Sequence, residues 1–310
     1  MRKDRRIKKP LVSISENISE EKSLKQCLDN LPMEDIIKKN DNVVITPNWV
    51  KAKSPSSATV VGPNTLDKLI KIVKKYSPKR IVIATGSGGD STDKVMKYVG
   101  YDKVIKDNNV EFIDLNYGPY TNIKLNHWMP PSTKINTLYE QMDVLISFSQ
   151  LKMHEEATMS GGIKNIALGW PPAEIHGFPK KGLGIHEDLH NFIVAMIEKM
   201  PIDLTILSAD KTMLATGPSE GKAIDTQGII IAGTDPVSVD TIGARLLGFL
   251  PQAVSYLYLL HRKRIGEAAL ENVDIRGLEL EVCEKMFSTS AYNTEVVLDK
   301  GKLKPFHGNR

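Results

Sequence analysis

The 310-residue chain has the composition of a folded globular protein, since 41% of its residues are hydrophobic and 25% are charged. That balance excludes a disordered or fibrous chain, and the length favours two lobes over one. A net charge of +4 is small for this length and comes without an aromatic stacking pattern, which disfavours nucleic-acid binding. The two cysteines, Cys27 and Cys283, exclude a disulfide framework and an iron–sulfur cluster held by this chain alone.

The N-terminal residues 2–9 include six basic residues and one acidic residue. We expect this segment to be a solvated, poorly ordered terminus, with a membrane or nucleic-acid contact as the alternative. The apolar stretch at 11–15 is too short for a secretory signal, and no segment reaches transmembrane length. We therefore expect a cytoplasmic protein without a membrane partner.

Short β-branched runs alternate with amphipathic runs along the chain, a pattern typical of parallel strands with helical crossovers. The pattern predicts strands at 43–46, 80–85, 110–114, 143–147, 204–208 and 228–232. It predicts helices at 65–76, 187–200, 235–247 and 252–261. The predicted fold class is therefore α/β, with two lobes of mostly parallel sheet flanked by helices and a ligand cleft between them.

The predicted lobes are residues 1–150, which contain a Gly-rich loop, and residues 187–287. Between them, residues 151–186 are dense in Gly, Pro and His, which is typical of a functional loop. Trp170, which two prolines follow, is either a lid over the site or a loop anchor. Residues 288–310 are predicted to form a polar tail or an edge strand.

The first candidate site is a glycine-rich turn after the predicted strand at 80–85. It consists of Gly86, Ser87, Gly88 and Gly89. Such a strand-to-helix turn can present backbone N–H groups and a positive helix end to an anion. The turn has neither the complete dinucleotide-binding spacing nor the Walker spacing. A tight structural turn capped by Asp90 or Ser91 is the alternative.

A stronger cluster follows the predicted strand at 143–147, at the carboxyl edge where open α/β sheets bind ligands. His154 offers a proton carrier, and Lys164 offers a cation or a nucleophile. Adjacent glycines between them let the backbone approach a bound group closely. The other predicted substrate- or anion-binding residues here are Asn48, Ser160, Gly161, Gly162 and Asn165.

His186 and His190 lie four residues apart at the start of a predicted helix, so both can meet a metal ion or an anionic substrate. Helix capping and packing explain the same spacing. Asp240 is a charge within an apolar stretch and needs a partner if it is buried, for which Lys164 and Arg245 are the candidates. We count Asp240 with His154 and Lys164 as a candidate catalytic residue.

Several of these residues together resemble the prokaryotic family called domain of unknown function 362. The likeness covers residues 42–280 and is carried by segments 47–50 and 217–221, by Lys152-Met153-His154, by Lys164-Asn165 and by Asp235-Pro236 with Asp240. The family has no settled reaction. Some of its members are fused to ferredoxin modules, which implies a ferredoxin-type redox partner.

The first half of the chain more distantly resembles the nickel-pincer lactate racemase family. In that family a strand ends in Ala-Thr-Gly, as at residues 84–86 here. The family also has a Ser-Gly-Gly-x-Lys motif whose Lys follows a His by ten residues, as Lys164 follows His154 here. The resemblance implies that Lys164 anchors a nicotinate-derived cofactor and that His154 shuttles a proton to or from a hydroxy acid. Gly88 stands where that family has its second acid/base His.

The leading hypothesis is a metal- or cofactor-dependent enzyme that acts on a small hydroxy or carboxylic acid by proton or hydride transfer. The expected cofactor is a transition metal, such as nickel, zinc or iron, or a lysine-linked nicotinate-derived group. The candidate metal ligands from helical spacing are His186 and His190. For the nickel ligand, the racemase resemblance leaves His176, which lies nearer than the family spacing, or His186, which lies farther. The alternative is a non-catalytic metal- or cofactor-binding protein that works with a separate iron–sulfur partner.

Overall fold

A computed structural model describes residues 4–226 and 228–298 of the chain. The strands are β1 (Leu11–Ser15), β2 (Asn42–Pro47), β3 (Arg80–Thr85), β4 (Glu111–Asp114), β5 (Tyr120–Lys124), β6 (Ser132–Asn136), β7 (Val144–His154), β8 (Thr158–Ser160), β9 (Leu204–Leu214), β10 (Lys222–Asp225), β11 (Ile230–Gly233) and β12 (Asp274–Gly277). The helices are α1 (Glu20–Asp29), α2 (Met33–Ile36), α3 (Pro63–Lys74), α4 (Thr92–Val99), α5 (Tyr101–Asp107), α6 (Leu138–Gln141), α7 (Gly162–Gly169), α8 (Ala173–His176), α9 (Leu189–Ile197), α10 (Pro236–Leu246), α11 (Ser255–Arg262) and α12 (Leu280–Tyr292).

Ten of these strands form one sheet in the order β12-β1-β11-β9-β7-β2-β3-β4, with β10 paired to β9 and β8 paired to β7. Helices cover both faces of this sheet. Strand β2 shows why, because Val44 faces one hydrophobic core while its neighbours Val43 and Ile45 face the other. A strand that is apolar on both faces needs a helical layer on each side.

The parallel strands β2, β3 and β7 place the candidate site. Strand β2 pairs in parallel with both β3 and β7, so the three strands run to the same edge of the sheet. Strand β7 continues past the end of β2 as far as His154, and its last residues pair with the antiparallel strand β8. Residues that follow β2 and β3 therefore meet the end of β7 at the carboxyl edge.

The predicted α/β class with a mostly parallel sheet is confirmed. The expectation of a separate sheet in each lobe needs correction, because β9 of the second half pairs in parallel with β7 of the first half. Both halves share one continuous sheet. Strand β7 also runs across the boundary that we predicted at residue 150.

The ends of the described chain differ from the predictions. The basic N-terminal segment is tied to acidic side chains, because Arg5 pairs with Asp235 at 2.9 Å and Arg6 pairs with Asp41 at 2.6 Å. Helix α12 extends to Tyr292, so the start of the predicted tail is helical. Residues 1–3 and 299–310 lie outside the described residues. No helix in the described ranges is long and apolar enough to cross a membrane.

Candidate functional site

A cleft of about 290 Å³ opens at the carboxyl ends of β2, β3 and β7. The residues after β2 and β3 form one wall, and the end of β7 with the start of α7 forms another. The predicted site residues that line it are Asn48, Gly86, Gly88, Gly89, His154, Ser160, Gly161, Lys164, Asn165 and His186. The predicted residues that do not line it are Ser87, Gly162, His176, His190 and Asp240.

Two buried lysines face this cleft, Lys152 from β7 and Lys164 from α7. The Nζ of Lys152 donates a hydrogen bond to the Thr59 carbonyl oxygen at 2.9 Å. Burial and the charge of Lys164 lower the pKa of Lys152 to about 7. Burial also lowers the pKa of Lys164 to about 8, an effect that Glu156 opposes and Lys181 reinforces. Neither lysine is in an ion pair with a carboxylate in the described ranges, which favours an external anion as the partner.

A third buried lysine, Lys180, joins two parts of the cleft wall. Its Nζ donates to the carbonyl oxygens of Gly86 at 2.9 Å, Gly169 at 3.0 Å and Leu168 at 3.4 Å. Burial lowers the pKa of Lys180 to about 7, which Asp114 opposes. Three acceptors need the three hydrogens of an ammonium group, so the geometry favours the charged form. Sequence reasoning missed Lys180, because backbone carbonyl partners leave no side-chain signature.

The ring of His154 is held in one tautomer. Its Nδ1 accepts hydrogen bonds from the backbone amides of Glu156 at 3.1 Å and Ala157 at 3.2 Å. The neutral ring therefore carries its hydrogen on Nε2. Burial, with the charges of Lys164 and Lys152, lowers the pKa of His154 to about 2. In this state His154 is a neutral hydrogen-bond donor within the cleft and is not poised to accept a proton.

The glycine-rich turn after β3 uses much of its hydrogen-bonding capacity internally. The amide of Ser87 donates to Thr92 Oγ1 at 3.2 Å, and the amide of Gly89 donates to the Val50 carbonyl oxygen at 2.9 Å. Ser91 caps helix α4, as the structural alternative predicts. Two of the amides that we expected to hold an anion are therefore already occupied, which corrects the role predicted for Ser87 and Gly89.

Asp240 accepts two backbone hydrogen bonds at the start of α7. Its Oδ1 accepts the amide of Gly162 at 2.8 Å, and its Oδ2 accepts the amide of Ile163 at 3.0 Å. Burial raises the pKa of Asp240 to about 7, while the two amides oppose the rise. A Cβ atom at Gly161 would lie 2.5 Å from Asp240 Oδ1, so the close approach requires glycine there. The amides of Gly162 and Ile163 thus bind an internal carboxylate, which corrects the anion-binding role predicted for Gly162.

The predicted cation partners of Asp240 are wrong. Arg245 forms an ion pair with Glu284 at 2.6 Å. Lys164 lines the cleft, whereas Asp240 does not. Because Asp240 fixes the turn that precedes Lys164, we assign it a positioning role and not the catalytic role that the sequence predicts.

His176 is closed to a metal ion by its protein contacts. One ring nitrogen, Nε2, lies 2.9 Å from Thr133 Oγ1, and the other, Nδ1, lies 3.0 Å from the Gly182 carbonyl oxygen. Burial lowers the pKa of His176, so the ring is neutral at neutral pH. A neutral ring with both nitrogens engaged has no lone pair free for a metal, which corrects the ligand role predicted for His176.

The structure does not bring the other two candidate ligands together as predicted. Helix α9 begins at Leu189, so His186 precedes the helix; its Nδ1 lies 2.6 Å from Glu156 Oε2. His190 stacks on Tyr256 with ring centroids 5.9 Å apart, away from the cleft lining. No group of three His, Cys, Asp or Glu residues in the described ranges could hold a metal ion. Lys164 would fit a lysine-linked group, and of the three predicted metal ligands only His186 lines the cleft with it.

Two asparagines at the cleft brace the sheet edge. The Oδ1 of Asn48 accepts the amide of Gln150 at 2.9 Å, and the Nδ2 of Asn165 donates to the Thr46 carbonyl oxygen at 2.8 Å. Trp170 is fully buried and its Nε1 donates to Thr46 Oγ1 at 3.3 Å. Trp170 is therefore a loop anchor and not a lid.

Two known proteins are similar to this chain over most of its length. The chain is 22% identical over 255 residues to a thylakoid-associated protein of Synechocystis sp., covering 80% of this chain and 76% of that protein. Its structure is similar to that of the lactate racemase apoprotein of Thermoanaerobacterium thermosaccharolyticum, with 21% identity and a TM-score of 0.43. That match covers 73% of this chain and 54% of the racemase, so the chain spans about half of the racemase.

The family assignment depends on a family model that matches more than half of the chain. The family model described as "Domain of unknown function (DUF362)" matches residues 43–245, which contain β2 from its second residue, all of β3, β7 and α7, and every side chain that we place at the cleft. The chain belongs to this family.

Proposed function

We propose that the chain is an enzyme that binds a small carboxylic or hydroxy acid in the cleft and moves a proton on it. The observation that supports this most is the pair of buried lysines, Lys152 and Lys164, without a bonded carboxylate in the described ranges. An unpaired buried cation is costly, and an anionic ligand would supply the missing partner. A cleft of about 290 Å³ suits a small ligand.

Each side chain has a distinct role in this proposal. The ammonium group of Lys152 donates one hydrogen to the Thr59 carbonyl oxygen, which leaves two hydrogens for a carboxylate. His154 donates its Nε2 hydrogen to a neighbouring oxygen of the ligand. Lys164, with a pKa of about 8, exchanges a proton with the ligand because both of its forms are populated near neutral pH.

The metal- or cofactor-dependence expected from the sequence stays a prediction. The described side chains do not offer a set of three metal ligands. The roles of Lys152, His154 and Lys164 in this proposal therefore use only groups of the protein. The assignment of small carboxylic or hydroxy acids as the substrate class is likewise part of the proposal.

The test is calorimetric titration with L-lactate and D-lactate, followed by NMR detection of hydrogen exchange at C2 in deuterated water. We expect Lys152→Met and Lys164→Met each to weaken binding by roughly tenfold or more, because each removes a charge-assisted contact. Lys134→Met is the matched control, since Lys134 is an exposed lysine on β6. Failure of a panel of small acids to bind would overturn the proposal. Binding without exchange would favour the non-catalytic carrier.

A further inference from the structure

Lys164 differs from the other two buried lysines of the cleft in what its amine contacts. Lys152 and Lys180 are anchored on backbone carbonyl oxygens, at 2.9 Å from Thr59 and from Gly86 respectively. The amine of Lys164 makes no hydrogen bond or ion pair within the described ranges, although the residue is only 8% exposed. Its amine is thus the one of the three that is free to react.

We propose that Lys164 is a nucleophile that forms an imine with the carbonyl carbon of a small 2-oxo acid. This inference rests on the proposed function, because it uses the same anion-binding cleft. It narrows the ligand to acids that carry a ketone or aldehyde group beside the carboxylate.

The backbone around Lys164 is built to hold the amine in place. Lys164 lies in the first turn of α7, and Asp240 binds the two preceding amides, those of Gly162 and Ile163. Ser147 Oγ donates to the Gly162 carbonyl oxygen at 2.8 Å, which ties the same turn to β7. A nucleophile on a fixed turn loses little entropy when it attacks a bound ligand.

The neighbouring side chains complement a 2-oxo acid. Lys152 and His154 are two residues apart on β7, so both side chains project from the same face of the strand. Lys152 offers ammonium hydrogens to the carboxylate, and the Nε2 hydrogen of His154 can bind the adjacent carbonyl oxygen. A hydrogen bond to that oxygen makes the carbonyl carbon more electrophilic.

Burial also keeps the Lys164 amine partly unprotonated. Removal of the ammonium group from water lowers its pKa to about 8, and the nearby Lys181 adds to the effect. An exposed lysine has a pKa of about 10.4, so at neutral pH its neutral fraction is roughly two-hundredfold smaller. The neutral amine is the form that attacks a carbonyl group.

The reaction balances without an oxidant or a metal. The nitrogen lone pair forms a bond to the carbonyl carbon, and a proton moves from nitrogen to the former carbonyl oxygen. The carbon–oxygen bond then breaks, and the oxygen leaves as water with the second proton of the amine. The product is the imine of Lys164, and protonation of its nitrogen prepares the neighbouring carbon for proton loss.

The test is reductive trapping of the full chain with pyruvate and sodium cyanoborohydride at neutral pH, read by intact mass and peptide mapping. We expect one carboxyethyl group per chain at Lys164, formed at least about tenfold faster than at the exposed Lys134. Lys164→Met should lose this adduct, and Lys134→Met should keep it. Labelling spread evenly over exposed lysines would overturn the inference, and the wild-type peptide map decides this even if Lys164→Met fails to fold.

A second measurement separates this inference from the proposed function. Lactate has no carbonyl carbon at C2 and cannot form an imine, so its calorimetric binding reports the cleft alone. Lactate binding without a pyruvate adduct would overturn the imine and keep the anion-binding function. The absence of both lactate binding and the pyruvate adduct would overturn both the anion-binding function and the imine.

Discussion

The Oδ1 atom of Asp240 accepts the backbone amide of Gly162 at 2.8 Å, which joins helix α10 to the start of α7. The carboxylate occupies the positive end of α7, where a free anion would otherwise bind. A side chain from the second half of the chain thereby fixes the turn that presents Lys164 to the cleft. The function of Lys164 therefore depends on a residue that does not line the cleft.

Replacement of Asp240 by alanine is expected to lower the free energy of unfolding by about 3 kcal/mol, because it leaves two buried amides without acceptors. Asp240→Asn keeps one acceptor oxygen and should cost less. Urea unfolding followed by circular dichroism measures both. The control is Asp93→Asn at an exposed acid of α4. A loss for Asp240→Ala no larger than for the control would contradict the role in positioning α7.

Gly162→Ala should destabilise the protein by about 2 kcal/mol, because the added Cβ atom would overlap the Thr205 methyl group. Thr205→Ser removes that methyl group, so the double variant should recover part of the loss. Gly169→Ala is the control, since its Cβ atom would lie 3.9 Å from the nearest atom, at ordinary contact distance. Thermal unfolding compares the variants, and additive losses in the double variant would refute this contact.

Lys180→Met should lower the free energy of unfolding by about 2 kcal/mol. The substitution leaves the carbonyl oxygens of Gly86 and Gly169 without their donor, although removal of a buried charge offsets part of the cost. Lys181→Met is the matched control at the next residue, where an ion pair with Glu156 on a half-exposed side chain contributes little. Equal stability of the two variants in urea would rule out a stabilising role for the hydrogen bonds of Lys180.

Lactate affinity should fall as the pH rises from 7 to 9. The pKa values of Lys152 and Lys164 are lowered to about 7 and about 8, so both lysines lose their charge in this range. An anion binds the charged forms, and affinity should drop by up to about tenfold per pH unit for each proton taken up. Calorimetry in buffers of different ionisation enthalpy measures that uptake. Constant affinity from pH 6 to 9 would argue against lysine-dependent binding.

Much of the fold could be predicted because its strands are continuous β-branched runs bounded by turn residues. Strand β3 matches its predicted range, 80–85, for this reason. Strand β1 was not predicted, since five residues beside a basic segment carry no periodic signal of their own. They form a strand through pairing with β11 and β12 near the other end of the chain.

The cleft position of His154 and Lys164 could be predicted, because one residue ends β7 and the other lies in the helix that follows β8. The partners of buried charges could not, because a backbone amide or carbonyl group that binds a side chain has no sequence signature. This explains why the partners of Asp240 were predicted wrongly and why Lys180 was missed. It also explains His176, whose spacing fits a ligand but whose ring nitrogens already have partners.

The position of β1 between β11 and β12 has a consequence for synthesis of the protein. Strand β1 leaves the ribosome long before either of its sheet neighbours, β11 and β12, is translated. Until then β1 is a short apolar strand with unpaired backbone groups on both sides, open to pairing with other nascent chains. The pairing of β1 with β12 must therefore wait for the far end of the sheet-forming sequence, and truncation before Gly277 would leave β1 without one of its partners.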